Sequence, residues 1–225
     1  MRKSILILII SSLISLSMKG QNDTKIIYVG DPMCSWCYGL TDELKTVLDH
    51  FEEKAEVAFI MGGLRPYYDV PMKQMKDFLA GHWDQVYKAT GQEFTYGILD
   101  RTDLNYDTEP PCRAVVVFRT LGGKDVAKFF KDIQRSFYYN NDDPNDVTTY
   151  LPLLQDSGIS AEDFESAFHS DEMKQLVKKD FENANSLGVS SFPTILIEHN
   201  GKTILVAHGY ATSEKIISNI NRVIN

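Results

Sequence analysis

The chain has 225 residues, of which 43% are hydrophobic and 24% are charged, a composition typical of a single globular domain. It carries 23 Lys and Arg residues against 31 Asp and Glu residues, which gives a formal net charge of -8. An acidic chain of this kind has no general affinity for phosphate backbones or anionic membrane surfaces, so nucleic acid is excluded as an expected partner.

The first 20 residues have the layout of a secretory signal. Two cations, Arg2 and Lys3, precede the apolar run Ile5–Leu16, and small and polar residues follow it. This run is shorter than the roughly 20 residues that a permanent membrane-spanning helix needs, although an uncleaved anchor remains the alternative. The sequence therefore predicts that residues 1–20 are removed as a signal peptide. The mature chain, residues 21–225, is expected to be periplasmic or secreted, without stable membrane insertion.

The mature chain opens with a strand, a helix and a second strand. Lys25–Gly30 (KIIYVG) is a β-branched and aromatic run followed by Asp31-Pro32, which predicts a buried strand and a turn. A second strand is predicted over Glu56–Met61 (EVAFIM), before Gly62-Gly63. Between them, apolar residues at helical spacing predict one buried helix face: Leu40, Leu44, Val47, Leu48 and Phe51.

A long helical block separates this beginning from a different pattern at the end. From Pro71 to about Leu187 the apolar residues recur at helical spacing, and Ser160 is placed to cap one of the helices. Two apolar runs, 194–197 (TILI) and 202–207 (KTILVA), then flank an Asn-Gly turn and predict a β-hairpin. A closing amphipathic helix is predicted over 213–224.

Two of the three cysteines form a pair, Cys34 and Cys37, where the first predicted strand leads into the first predicted helix. A sulfur at a helix N-terminus faces unpaired backbone N–H groups and the positive end of the helix dipole, which favour its thiolate. We therefore expect Cys34 to be the catalytic nucleophile. Cys37, one turn later, would resolve the mixed disulfide by attacking Cys34. This dithiol would act through its own redox-active disulfide, without a cofactor.

The cysteines have other possible roles. A zinc site requires four ligands, and the sequence has no second Cys/His pair at a matching spacing, so we expect no metal. A purely structural disulfide that closes so small a loop would stabilise the fold little. The third cysteine, Cys112, is expected to be a buried and inert small hydrophobic residue, and the alternative is a regulatory or resolving thiol.

The segment Asp31–Gly39 (DPMCSWCYG) resembles the active site of the DsbA-like branch of the thioredoxin superfamily, in particular protein-disulfide oxidoreductases and isomerases with a CSWC motif. A second segment, Gly188–Thr194 (GVSSFPT), is similar to the cis-proline loop of that family. The resemblance implies an α/β thioredoxin fold over residues 21–225, with an inserted α-helical domain at about residues 66–187.

The resemblance also implies a substrate-binding site. It implies a cis Phe192-Pro193 bond near Cys34, which would leave the Phe192 backbone free to pair with an extended substrate peptide. A plain strand-opening proline is the alternative. Trp36 offers an apolar face, which we expect either to contact unfolded substrate or to pack on the helical domain. The Ser-Trp pair between the cysteines replaces the Pro-His pair of the best-known members and predicts a weaker oxidant.

The sequence thus predicts an exported thiol-disulfide oxidoreductase, working as an oxidase or isomerase on unfolded or cysteine-containing proteins with an unidentified redox partner. One alternative is a glutathione-dependent or isomerase enzyme of the kappa-class transferase and hydroxychromene-carboxylate isomerase type, whose members typically lack a complete CxxC. Another is a non-catalytic peptide-binding chaperone with incidental cysteines. No coiled coil or dimerisation segment stands out in the sequence, so a monomer is the default expectation.

Overall fold

The computed structural model describes residues 24–225, and the predicted signal peptide lies outside the described residues. Four strands form one sheet: β1 (Thr24–Gly30), β2 (Glu56–Met61), β3 (Thr194–His199) and β4 (Lys202–His208). Seven α-helices accompany them in this part of the chain: α1 (Ser35–Phe51), α2 (Lys76–Thr90), α3 (Glu109–Thr120), α4 (Val126–Arg135), α5 (Ala161–His169), α6 (Asp171–Ser186) and α7 (Ser213–Ile224). Over residues 24–225, none of the helices combines the length and the apolar character that crossing a bilayer requires.

The strand order β2-β1-β3-β4 brings distant parts of the chain together at one end of the sheet. β1 runs parallel to β2 and antiparallel to β3, and β3 runs antiparallel to β4. Val29, near the end of β1, pairs with Thr194 at the start of β3. This register places the loop that precedes β3 beside the turn that follows β1.

The side chains of β1 alternate between the two faces of the sheet, and both faces are covered by other parts of the chain. Ile26 and Tyr28 belong to the main core, together with residues of α1 and α7. Ile27 and Val29 face a smaller core that includes Ala184 of α6. Burial on both sides explains why the first strand is a continuous apolar run, and the predicted order of strands and helices is confirmed.

The residues between β2 and β3, here called the helical segment, share the main core with the sheet. In α3, every residue from Glu109 to Phe118 is buried, and several of its side chains join the same core as β1 and α1. The last helix of the helical segment, α6, contacts β2 directly. The predicted domain boundary of about 66–187 therefore includes a helix that also covers the sheet, and that boundary stays a prediction.

The β3–β4 hairpin is longer than the sequence predicted. Asn200 and Gly201 have φ angles of 49° and 72° and form a two-residue turn, so that His199 can pair with Lys202. The strands consequently extend to the turn itself.

The hairpin also contains a register shift. Ile195 pairs with Ala207 and Leu196 pairs with Leu205, which leaves Val206 as an extra residue in β4. Because of this bulge Val206 and Ala207 are both buried, while Leu205 is exposed.

The outer edge of β2 is closed by an ion pair from the helical segment. The guanidinium of Arg119 in α3 donates to the Phe59 carbonyl at 2.5 Å, and the carboxylate of Asp180 in α6 accepts from the Met61 N–H at 2.9 Å. The two side chains form a double hydrogen bond of 2.6 and 2.7 Å. Backbone groups that an edge strand would otherwise leave unpaired are thereby satisfied.

Candidate active site

The dithiol lies at the junction of β1 and α1. Cys34 is the N-cap residue of α1, and its carbonyl accepts the N–H of Tyr38 at 3.1 Å. The first turn of the helix carries no acidic side chain, and no side chain caps it. The positive end of the helix dipole is therefore available to a thiolate on Cys34.

The two thiols differ in burial. Cys34 is 6% exposed and Cys37 is 1% exposed, and both are reduced in the structure. Burial raises the pKa of the Cys37 thiol well above its ordinary value, and the neighbouring Cys34 sulfur raises it further. Cys37 is thus held as a protonated thiol, and Cys34 is the sulfur of the pair that a substrate can reach first.

The predicted cis-proline loop lies beside Cys34. The Phe192-Pro193 bond is cis, as the resemblance implied. The Cys34 thiol donates to the Phe192 carbonyl at 3.4 Å, so this carbonyl is occupied in the reduced protein. The expectation that the Phe192 backbone pairs with an extended substrate stays a prediction, since this carbonyl has a second lone pair. The thiol proton needs an acceptor, and this carbonyl is within reach.

The Phe192 side chain packs inward. A methyl group at Gly62 would lie 2.0 Å from the nearest atom of the Phe192 ring, so the ring rests directly on the loop that follows β2. The side chain is half-buried and contacts the cores on both sides of the sheet. Its packing fixes the loop that carries Pro193 against the end of β2.

Trp36 is half-buried between the two cysteines. The nearest ring is that of Tyr210, whose centroid lies 6.5 Å away at an interplanar angle of 42°. Tyr210 lies in the loop after β4, where its hydroxyl donates to Glu43 at 3.4 Å. This aromatic neighbour of Trp36 therefore lies outside the helical segment. The alternative expectation was that Trp36 packs on that segment. Contact with substrate stays a prediction.

A buried carboxyl group that the sequence did not single out, Asp31, lies three residues before Cys34. Its side chain accepts the N–H groups of Met33 at 2.8 Å and Leu64 at 2.6 Å, and its carbonyl accepts the N–H of Cys34 at 3.0 Å. Burial raises the pKa of this carboxyl, and the hydrogen bonds from Leu64 and Met33 oppose that rise. In the sequence, an Asp before Pro indicates only a turn.

Cys112 is fully buried, and its thiol donates to an oxygen of Asp31 at 3.4 Å. Burial raises the pKa of this thiol well above its ordinary value, and the Asp31 carboxylate adds to the effect. The expected burial is observed, but the thiol has a polar partner close to the dithiol. Over residues 24–225, no group of three or more His, Cys, Asp or Glu side chains is arranged to hold a metal ion.

Tyr28 is a second residue near the dithiol that the sequence did not single out, since it was assigned only to a buried strand. It is fully buried. Burial raises the pKa of its hydroxyl well above 10.0, and the Cys37 sulfur raises that pKa further. The hydroxyl therefore stays neutral beside the buried thiol. A tyrosine inside an apolar strand is the sequence signal, since a buried hydroxyl normally requires a polar neighbour.

Comparison with known proteins gives consistent matches. Residues 27–212 match the family model described as Thioredoxin. The chain is 30% identical to a candidate protein disulfide isomerase from Nitrosomonas europaea, with 88% of this chain and 96% of that chain covered and a TM-score of 0.78. No curated protein sequence matches the chain.

More distant structures share the fold alone. The cytosolic disulfide reductase DsbM from Pseudomonas aeruginosa is 23% identical, with a TM-score of 0.69 over 88% of this chain and 94% of that chain. A 2-hydroxychromene-2-carboxylate isomerase is 11% identical, with a TM-score of 0.59 over 88% of this chain and 95% of that chain.

Proposed function

This chain belongs to the thioredoxin family, in its DsbA-like branch of thiol-disulfide oxidoreductases, and we propose that it is an exported enzyme that exchanges disulfides with unfolded or cysteine-containing proteins. The thioredoxin fold and the enzyme class that the sequence predicted are confirmed. The roles of Cys34 and Cys37, the polypeptide substrate, the direction of exchange and the export of the chain are the proposal.

The unequal burial of two thiols at the start of α1 carries the proposal. As an oxidase, the enzyme begins with a Cys34–Cys37 disulfide, and a substrate thiolate attacks the Cys34 sulfur. The Cys34–Cys37 bond breaks, a mixed disulfide forms, and Cys37 leaves and takes up a proton. A second substrate thiolate then attacks the substrate sulfur of the mixed disulfide and releases Cys34. Two substrate thiols are oxidised to a disulfide, and the enzyme disulfide is reduced to the dithiol.

Isomerase action uses the same atoms without net oxidation. The Cys34 thiolate attacks a substrate disulfide, forms a mixed disulfide and releases one substrate thiolate. Another substrate thiolate attacks the substrate sulfur and frees Cys34, so that one substrate disulfide replaces another. If no substrate thiol is close, Cys37 attacks Cys34 instead, which reduces the substrate and oxidises the enzyme.

The surroundings of Cys34 favour an extended substrate. At 6% exposure, the sulfur can be approached by a locally unfolded segment more readily than by the surface of a rigid fold. Once Cys34 is in the mixed disulfide, it no longer donates a thiol proton to the Phe192 carbonyl. That carbonyl can then accept an N–H group of the substrate backbone, as in strand addition.

Trapping of the mixed disulfide tests the proposal. Cys37→Ser should accumulate covalent adducts with a scrambled disulfide protein, because Cys34 attacks a substrate disulfide and the resolving thiol is missing, whereas Cys34→Ser should form none. Non-reducing electrophoresis with mass spectrometry identifies the linked cysteine. Recovery of native disulfides in the same substrate measures turnover by the wild-type protein. Adducts of Cys34→Ser, or equal turnover by Cys34→Ser and the wild type, would overturn the proposal.

Direction is measured by equilibrating the Cys34–Cys37 pair with glutathione buffers. A poise more oxidising than that of structural disulfides supports oxidase or isomerase work, and a low poise supports reductase work. Export is supported by the layout of residues 1–20, and DsbM shows that a similar fold can also be cytosolic. Fractionation of cells that express the chain with and without these residues tests the location.

The isomerase alternative rests on a shared fold, since the matching 2-hydroxychromene-2-carboxylate isomerase is 11% identical. Both sulfurs of a complete CxxC are present here, which favours dithiol exchange over chemistry that uses a single nucleophile. A glutathione-dependent enzyme of that type would keep its activity in Cys37→Ser. A non-catalytic chaperone would suppress aggregation equally well in Cys34→Ser.

A further inference from the structure

We propose, on the basis of the function proposed above, that Asp31 is a positioning residue that sets the redox equilibrium of the Cys34–Cys37 pair. We further propose that the Cys112 thiol is the link through which the helical segment acts on Asp31. Neither role belongs to the exchange steps themselves, because neither side chain forms or breaks a bond with the substrate.

Asp31 holds the turn that carries the nucleophile. Its Oδ1 accepts the N–H of Met33, and its carbonyl accepts the N–H of Cys34, so one residue anchors two consecutive peptide groups. Its Oδ2 accepts the N–H of Leu64, in the loop that follows β2. The carboxylate therefore joins the turn before α1 to the loop after β2, the same loop on which the Phe192 ring rests.

The helical segment supplies a further donor to this carboxylate, because the Cys112 thiol donates to Oδ2 at 3.4 Å. Beside it, Thr108 at the start of α3 is tied to the loop after β2: its hydroxyl accepts the N–H of Arg65 at 3.0 Å, and its own N–H donates to the Arg65 carbonyl at 3.2 Å. Hydrogen bonds thus run without a break from the start of α3 to the turn that holds Cys34.

The arrangement calls for a carboxylate at residue 31. Two backbone N–H groups and a thiol converge on the two oxygens, with one N–H group on each oxygen, so an amide side chain would turn its own donor toward one of these N–H groups. The residue is fully buried, and none of the ion pairs among residues 24–225 includes it. A buried charge without a counter-ion persists only when hydrogen bonds compensate it.

The charge acts on the groups that surround the dithiol. Burial is the main reason why the pKa values of Tyr28, Tyr106 and Cys112 are raised, and the Asp31 carboxylate adds a smaller rise to each. The hydroxyl of Tyr106 donates to the carbonyl of Met33, next to Cys34. A negative charge in this position disfavours a thiolate nearby. Removal of the charge should therefore make it easier for a sulfur of the reduced Cys34–Cys37 pair to ionise, and ionisation draws the exchange equilibrium toward the dithiol.

The test is the equilibrium constant of the Cys34–Cys37 pair with glutathione in the full chain. Asp31→Asn should shift it at least about fivefold toward the dithiol. Cys112→Ala should shift it at least about twofold in either direction, and Cys112→Ser, which keeps a donor, should match the wild type. In the Asp31→Asn background, Cys112→Ala should have no further effect, because its partner is no longer a carboxylate.

A purely structural role would lower the thermal midpoint and leave the equilibrium constant unchanged. The proposal is overturned by a folded Asp31→Asn protein with the wild-type constant, or by an equal effect of Cys112→Ala in both backgrounds. If Asp31→Asn does not fold, Cys112→Ala against Cys112→Ser decides, and equal constants overturn the link. Exchange that persists in Cys34→Ser would instead contradict the proposed function, so the two failures are distinguishable.

Discussion

At the scale of single residues, burial separates cysteines that look alike in the sequence. Cys34 caps a helix and keeps 6% of its surface exposed, whereas Cys37 and Cys112 are 1% and 0% exposed, and burial raises the pKa of these two thiols. The sequence correctly predicted which sulfur stands at the helix start, because that follows from local patterning. The difference in burial between Cys34 and Cys37 could not be predicted from the sequence, because it depends on how the rest of the chain packs around the first turn of α1.

Treatment of the native, reduced protein with iodoacetamide at neutral pH should therefore give a single adduct, on Cys34. Alkylation requires an accessible thiolate, and Cys37 and Cys112 offer neither access nor charge. Intact-mass spectrometry counts the adducts, and peptide mapping locates them. The same protein in denaturant should take up three adducts as a control. Two adducts on the folded chain would contradict this prediction.

The buried Cys112 thiol should also make stability depend on alkaline pH. Its pKa is raised in the folded state, so above a pH of about 8.5 the unfolded chain loses a proton that the folded chain keeps. The unfolded state then binds fewer protons, and the free energy of unfolding falls as pH rises. In Cys112→Ser this fall should be shallower by about 1.4 kcal/mol per pH unit.

Urea unfolding at intervals between pH 7 and pH 10, with reductant present, measures the two slopes. Cys37 contributes a similar term to both proteins, so the difference isolates Cys112. Equal slopes for Cys112→Ser and the wild type would contradict the prediction.

Asp31 illustrates what local sequence cannot predict. The positions of Cys34, Cys37 and the proline loop follow from two short motifs. The partners of Asp31, by contrast, include Leu64 and Cys112, which are 33 and 81 residues away in the chain. Only the folded arrangement of β2, α3 and the dithiol turn brings these donors to one carboxylate.

At the scale of secondary-structure elements, the ion pair on β2 contributes more than an exposed pair can. Asp180→Ala should lower the free energy of unfolding by about 2–4 kcal/mol, because Arg119 and the Met61 N–H both lose their acceptor. The matched control is Asp49→Ala, which breaks an exposed pair with Lys45 on α1. That change should cost less than about 1 kcal/mol. Chemical denaturation of both variants checks the contrast, and equal losses would contradict it.

Alanine substitutions at two glycines distinguish the effect of close packing from the effect of helix propensity on stability. Gly62→Ala places a methyl group against the Phe192 ring and should destabilise the protein by about 1–3 kcal/mol, with slower disulfide exchange. Gly81→Ala, inside α2, meets no atom within 4 Å and should stabilise it by about 0.5–1 kcal/mol. Thermal unfolding and turnover of both variants test this, and a neutral Gly62→Ala would show that the ring can move aside.

The elements themselves were largely predictable, since alternation and helical spacing reflect burial. The hairpin shows the limit of that reasoning. The apolar run KTILVA predicted a strand, but its bulge exposes Leu205 and buries both Val206 and Ala207. A register shift of one residue depends on the pairing partner, and no periodicity within a single strand reveals it.

At the scale of the whole molecule, the sheet and the helical segment share one main core. It contains Tyr28 of β1, Phe118 of α3 and Phe164 of α5, so we expect the two parts to unfold together. The two tryptophans lie in different regions: Trp36 lies at the dithiol, and Trp83 is buried within the helical segment.

Fluorescence of Trp36→Phe and Trp83→Phe should therefore report the same unfolding transition. Each variant leaves one tryptophan as the probe, and cooperative unfolding requires their denaturation midpoints to coincide once each is normalised to its own circular dichroism curve. A probe in the helical segment that changes at lower denaturant than the circular dichroism of the same variant would show that this segment unfolds by itself.

The ion pair at the outer edge of β2 limits how far the helical segment can be shortened. A shortened chain that omits residues 62–170 would keep the sheet and α6 but lose Arg119, the donor to the Phe59 carbonyl. Asp180 would then face an open strand without a counter-charge, and the bared edge could recruit a strand from a second molecule. Engineering a minimal catalyst from this scaffold would therefore require a new cover for β2 before any redesign of the dithiol.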